Sequence, residues 1–207
     1  IPENKYNRYN FYLRNTVNLT ERLTTDFNAM YVKTNDNNMI AQGQYHNPIL
    51  PVYLFPPGDD IRKYQIYSRF NSDRNISTQF WPYGNLGLGV QNPYWVSMAQ
   101  TNANDLDRYM LSAVAKYKIF DWFDISGRVR MDNSNNQNDV KLPAGTDGVF
   151  ASEFGFYSTE KTNYKNLYLD VIGQIRRPLS SDINFTSNFG ASYQDDRMDG
   201  LRVFGNL

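Results

Sequence analysis

Six stretches of this chain alternate with a period of two, and the alternation sorts charge as well as hydrophobicity. They span residues 9–19, 23–31, 109–119, 125–131, 167–175 and 183–193. In the first, Tyr9, Phe11, Leu13, Val17 and Leu19 fall on one side and Asn10, Arg14, Thr16 and Asn18 on the other. Successive side chains of a β-strand point to opposite faces, so each stretch is expected to be a strand with one greasy and one wet face. Of the 32 odd positions in these windows none is charged. The 26 even positions carry seven charges: Arg14, Asp26, Lys116, Lys118, Arg128, Arg130 and Asp170. A sheet in water tolerates an occasional Lys on its apolar side. A lipid-facing sheet does not, because Arg or Lys at the bilayer midplane costs about 2–4 kcal/mol. The odd residues are therefore expected to face hydrocarbon and the even ones water.

The spacing between stretches points the same way. Strands are expected near 8–19, 22–32, 107–120, 123–132, 165–177 and 182–195. Short links join Leu19 to Leu23, Ile119 to Ile125 and Ile175 to Ile183, whereas 33–106 and 133–164 read as long loops. Short and long connections alternate, as in transmembrane β-barrels with short periplasmic turns and long extracellular loops. Tyr9, Tyr31, Tyr109 and Tyr193 then fall at the outer rim, and Tyr117, Trp122 and Phe123 at the periplasmic rim, where amphipathic rings are favoured. This placement accounts for 16 Tyr, 13 Phe and 3 Trp in a chain with a mean hydropathy of −0.63. Single-chain bacterial barrels start at eight strands, and an open sheet in lipid leaves backbone groups unpaired at several kcal/mol each. The expected fold is all-β: a membrane-spanning antiparallel segment of about six strands from a larger barrel. The chain reads as a fragment, opening on Ile1 rather than Met. Alternation also permits a soluble, secreted β-sandwich or, more weakly, a surface adhesin.

Composition removes other classes. The 21 basic and 21 acidic residues balance to zero, which disfavours nucleic acid as a partner. No cysteine is present, so disulfide frameworks, zinc ribbons and thiol catalysis are excluded within the chain. The single histidine, His46, supports no His-pair metal motif and reads as a plain loop residue. No Ser-His-Asp set stands out, and paired carboxylates need a spatial separation that sequence alone does not supply. The chain is not expected to be an enzyme.

Several short motifs resemble the barrel region of SusC-like (SusC/RagA-type) TonB-dependent outer-membrane transporters. They are Ile1-Pro2-Glu3-Asn4 with Tyr9-Asn10-Phe11 and Arg14-Asn15-Thr16, then Asn47-Pro48 through Pro51-Val52-Tyr53-Leu54-Phe55-Pro56 to Gly58-Asp59-Asp60. Asn92-Pro93-Tyr94-Trp95, Asp121-Trp122 with Gly127-Arg128-Val129-Arg130, Phe150-Ala151-Ser152-Glu153, Gly190-Ala191-Ser192 and Gly205-Asn206-Leu207 continue in family order. The resemblance implies a 22-stranded barrel of the Bacteroidetes-type outer membrane, filled by a plug and capped by a SusD-like lipoprotein lid. It implies TonB-driven import of oligosaccharides or oligopeptides. Neither a plug domain nor a TonB box is identified in these residues, so both are expected upstream of Ile1.

Within that frame, Trp81, Tyr83, Tyr94 and Trp95 in the first long loop are candidates to stack on cargo, since an aromatic face offers broad contact at little rotamer cost. The competing reading has them packing the loop against itself or the lid, and the sandwich alternative would bind glycans through the same four. Pro48, Pro51, Pro56 and Pro57 stiffen 47–60 and suit an interface. On the even face, Arg14, Asp26, Lys116, Arg128, Arg130 and Asp170 are expected to line the lumen and meet the plug, with Lys118 beside them. No cofactor is expected; Asp59-Asp60, Asp195-Asp196 and Asp132–Asp139 admit calcium by ligand type, but without EF-hand spacing. The N-x-S/T matches at Asn18, Asn75 and Asn184 read as chance.

Overall fold

The computed structural model describes residues 2–39, 43 and 45–206. Ile1 and Leu207, which open and close the family-like motifs, lie outside them. The chain is all-β apart from short helical turns. One antiparallel sheet holds six strands: β1 (Lys5–Asn18), β2 (Leu23–Asn37), β5 (Thr101–Phe120), β6 (Phe123–Pro143), β7 (Gly155–Pro178) and β8 (Asn184–Asn206), side by side in that order. A small hairpin, β3 (Ser68–Asn71) and β4 (Ile76–Gln79), lies between β2 and β5 in sequence with the helices α1 (Ile49–Tyr53) and α2 (Pro93–Met98). No helix among the described residues is long and apolar enough to cross a membrane, which says nothing of strands.

The turns at one end are tight. Leu19 N–H donates to Leu23 O at 2.9 Å and Leu179 N–H to Ile183 O at 2.8 Å, while Asp121-Trp122 alone separates β5 from β6. At the other end the connections are 38–100 and 144–154. The strands extend well past the expected bounds at this end. Asn133–Val140, read from sequence as loop, pairs residue by residue with Lys165–Ser158, and β8 continues to Asn206. Backbone pairing does not need alternating side chains, so the ladder continues where alternation stops: largely polar residues carry β6 and β7 upward, and β8 adds exposed Leu201, Val203 and Phe204. Strands of 20 to 24 residues far exceed the nine to eleven or so that a bilayer requires.

Register carries the parity of one strand to the next. Phe11 pairs with Tyr31, Tyr31 with Tyr109, Leu111 with Met131, Val129 with Leu169 and Leu169 with Tyr193. Odd residues thus share one face over all six strands. That face is open: Phe11 is 64% exposed, Phe185 45% and Leu169 39%. The even face is crowded instead. Val32, Thr34, Asp124, Leu142, Ser158, Asn166 and Asp170 are all buried on it, as on the inside of a curved sheet.

Candidate functional site

Three surfaces carry the chemistry: the outer face, the inner wall and the mouth. On the outer face the apolar residues form a belt that crosses the strands at a slant. Its upper edge starts at Tyr9 on β1 and ends at Tyr193 on β8, six residues below Asp199, which lies in register with Tyr9. Its lower edge starts at Val17 and ends at Phe185, again six residues below the in-register Ala191. Both edges shift equally, so the belt is a band of constant height. With a rise of about 3.3 Å per residue and strands about 4.8 Å apart, this shift corresponds to strands inclined about 40° to the band's normal. Tyr109 to Ile119 then spans about 25 Å of height. At the lower edge Phe120 and Trp122 stack at 5.3 Å, and Phe123 stacks on Phe189 at 6.1 Å. Gly173 lies beneath that pair: a Cβ there would come within 2.6 Å of the Phe189 ring.

The inner wall is a lattice of ion pairs. Asp124, 5% exposed, receives Lys116 at 3.2 Å and Arg176 at 2.8 Å. Asp170, 6% exposed, pairs with Arg128 at 3.4 Å. Asp26 accepts a 2.5 Å hydrogen bond from Thr16 Oγ1, and Arg130 lies 5.3 Å over the Tyr168 ring. Lys118 reaches Asp121 in the turn at 2.9 Å. Arg14 has no ion-pair or hydrogen-bond partner among the described side chains. The six even-face residues singled out from sequence thus share one wall, with the carboxylates of Asp124 and Asp170 sunk into it and the cations of Lys116, Arg128 and Arg176 half exposed. Asp124 and Arg176 each lie one residue outside the alternating windows 125–131 and 167–175.

The mouth is built by residues 45–100 and 144–154. Asn92 is fully buried and joins three segments: its Nδ2 donates to Tyr64 O and Phe80 O at 2.9 Å each, while its Oδ1 accepts from Tyr94 N–H at 2.8 Å. The last bond caps α2, and Pro93 occupies the first helical turn, where its missing N–H costs nothing. Trp95, 3% exposed, donates its Nε1–H to Thr146 Oγ1 at 3.2 Å and ties α2 to 144–154. Gly145, at φ +88°, leaves room that a Cβ would take from Thr78.

Asp59 is the hub of a second cluster. Its Oδ2 accepts from Tyr64 OH at 2.6 Å and Tyr83 OH at 2.5 Å; its Oδ1 accepts from Lys63 Nζ and Asp60 N–H at 2.7 Å each. Led by the Lys63 ammonium, these donors hold the Asp59 carboxyl far below the usual carboxylate range, and the same carboxylate pushes the Tyr83 phenol well above its ordinary value. Phe55, Tyr64, Trp81 and Tyr83 gather around it with ring centroids 5.2–6.1 Å apart, mostly edge to face. The structure thus brings Trp81 and Tyr83 together, half-buried, and sets them apart from Trp95, whose ring lies 6.1 Å from Tyr67. Tyr94 is half-buried, beside Arg62. Phe55 and Tyr64 were not singled out as site residues from sequence, because only folding gathers rings spread over residues 55–83 into one cluster. The Asn92 cap was also missed, Asn92 having been read only within a family-like motif, although Asn before Pro at a helix start is the local signal that points to it.

The paired aspartates are occupied by protein groups. Asp60 binds the Arg62 guanidinium at 2.8 Å, Asp195 binds Arg197 at 2.8 Å, and Asp196 accepts from Tyr164, Asn166 and Gln194 at 2.6–2.7 Å. No group of three His, Cys, Asp or Glu that could hold a metal is gathered among the described residues. His46 Nδ1 lies 3.0 Å from Gln100 Oε1, and its ring is 4.4 Å from that of Phe150.

No protein-family model and no curated protein matches the chain. Solved structures do. The chain superposes on the RagAB peptide importer in its "closed-closed" state with a TM-score of 0.61 and 12% identity, and in its "open-open" state with a TM-score of 0.62 and 12% identity. Each alignment covers 98% of this chain and 22% of the other, so the chain spans about a fifth of the length of the importer chains it resembles. At that identity the likeness is one of fold: six strands and their connections have the shape of a stretch of the importer.

Proposed function

We propose that these residues form part of the membrane-spanning wall of a SusC-like, TonB-dependent outer-membrane importer of oligopeptides or oligosaccharides. The slanted belt carries the reading. Strands of transmembrane barrels tilt by about 35–45°, with an apolar band about 25 Å tall flanked by aromatic girdles. A bilayer imposes a band of constant height on inclined strands. A second sheet packed face to face asks only that apolar residues interdigitate, and gives no reason for both edges to shift by the same six residues. The sandwich alternative is therefore the weaker one.

In this reading the odd face contacts lipid, the even face lines the lumen, and the mouth meets cargo and a SusD-like lipoprotein. Half-exposed cations on the wall suit contact with a plug, and Trp81, Tyr83 and Tyr94 remain the candidates for cargo contact. The RagAB likeness supports a transport role and a lipoprotein partner, with peptide as one candidate cargo.

The test uses the absence of native cysteine from this chain. In the whole transporter, single cysteines at Leu111, Val129 and Val171 are expected to react with a lipid-soluble maleimide and resist a membrane-impermeant one. Cysteines at Ser112 and Ser192 are expected to do the reverse once the lumen is open to reagent. Equal labelling of both sets by the impermeant reagent would remove the lipid-facing assignment.

A further inference from the structure

A cavity of about 290 Å³ lies between the inner face of the upper sheet and the folded mouth. Leu142 and Phe156 form its sheet wall, and Pro48, Val96 and Phe150 face them from the loops. At about 30 Å³ per water, its volume corresponds to roughly ten waters, which is room for one large side chain and its backbone rather than for a sugar oligomer. Eight of the fifteen lining residues are polar, so the cavity sets an apolar patch beside polar groups, a combination that small-molecule sites use.

The polar groups are of two kinds. Gln100, 5% exposed, is already engaged, with His46 at one end of its amide and Gln91 Oε1 at the other. Arg202 is not. Its side chain is 58% exposed at the cavity's edge, with Nε 3.4 Å from Ser158 Oγ and 3.8 Å from Glu160 Oε2, and with Cζ 5.2 Å over the Phe204 ring. These contacts occupy the Nε side of the guanidinium. Both terminal nitrogens have no partner among the described residues and form an unused fork, the geometry that receives a carboxylate in two parallel hydrogen bonds.

We propose that this cavity is a subsite for the C-terminal residue of a peptide, its apolar side chain between Leu142 and Phe150 and its terminal carboxylate on the Arg202 fork. A neutral glycan offers neither group. The proposal rests on the importer reading for its place in transport, and it narrows the cargo to peptide. A medium-chain fatty acid shares the chemistry, so the experiment separates the two sources.

The test measures binding to the whole purified transporter by calorimetry, with Ala-Phe, Ala-Phe amide, decanoate and maltose as probes. Ala-Phe is expected to bind, its amide about tenfold or more weakly, and maltose not at this site. Arg202→Gln removes the preference for free acid over amide, and Val140→Trp, which fills the cavity, abolishes binding of both. Equal affinity for acid and amide, or unchanged binding in Arg202→Gln, overturns the subsite. Decanoate binding more tightly than Ala-Phe overturns the peptide assignment. An uptake assay in cells keeps the two readings apart: binding without import leaves the subsite standing and removes the importer, whereas import unaffected by either substitution does the opposite.

Discussion

Asp59 illustrates how one carboxylate can tie together the aromatic rings of a loop. Four donors converge on it, and two are phenols from residues five and twenty-four positions away. Because its carboxyl is held below the normal range, its contribution is fully present above about pH 4 and is lost only as the pH falls through the depressed folded value. The raised Tyr83 phenol has the opposite sign: its contribution is present below about pH 10 and is lost as the pH rises through its folded value. The mouth is therefore expected to stay closed from about pH 4 to 10, as followed by tyrosine fluorescence and by proteolysis within 55–83. Asp59→Asn should open it at neutral pH, since an amide sets a donor where a phenol O–H arrives. Unchanged protease resistance in that variant would show that ring packing alone holds the cluster. Asp59 read only as half of an acidic pair, because its partners are assembled by tertiary structure; for Trp95 cargo stacking and loop packing both stood open, because nothing local announces Thr146.

At the scale of the strand, alternation locates the apolar belt and not the element. The lower ends were legible to within a few residues because apolar periodicity and tight turns coincide there. The upper ends were not, because β6 and β7 continue as polar ribbons in which Asn135, Asn163 and their neighbours face water on both sides. That difference yields a depth-dependent prediction along β7. Val171→Arg, in mid-belt on the odd face, should destabilise the assembled barrel by about 2–4 kcal/mol. Asn163→Arg has the same parity but lies above the belt, and should cost nothing measurable. Ser192→Arg, on the even face opposite Asp170, should also be tolerated. Guanidinium unfolding of the whole transporter in lipid vesicles measures all three. A uniform response to Val171→Arg and Asn163→Arg would mean that burial by protein, not by a bilayer, sets the apolar face.

For the molecule as a whole, the decisive fact is that the sheet has two free edges. Among the described residues β1 and β8 each pair on one side only, and in the proposed bilayer setting their other sides would present N–H and C=O groups that hydrocarbon cannot satisfy. On the proposed importer reading, several kcal/mol for each unpaired group makes six strands alone an unstable membrane structure, and their order would depend on neighbours that pair with β1 and β8. Hydrogen exchange of these 207 residues in detergent micelles should therefore be graded across the sheet. Amides of β5, β6 and β7 are bonded on both sides and should exchange slowly, whereas alternate amides of β1 and β8 exchange fast. In the whole transporter those same edge amides should become as slow as their neighbours, while the isolated chain, lacking that pairing, self-associates through its edges once detergent is removed. A monomer in plain buffer, with β1 and β8 as protected as β6, would mean that the odd face is covered by protein and that the sandwich, not the barrel wall, is the native form.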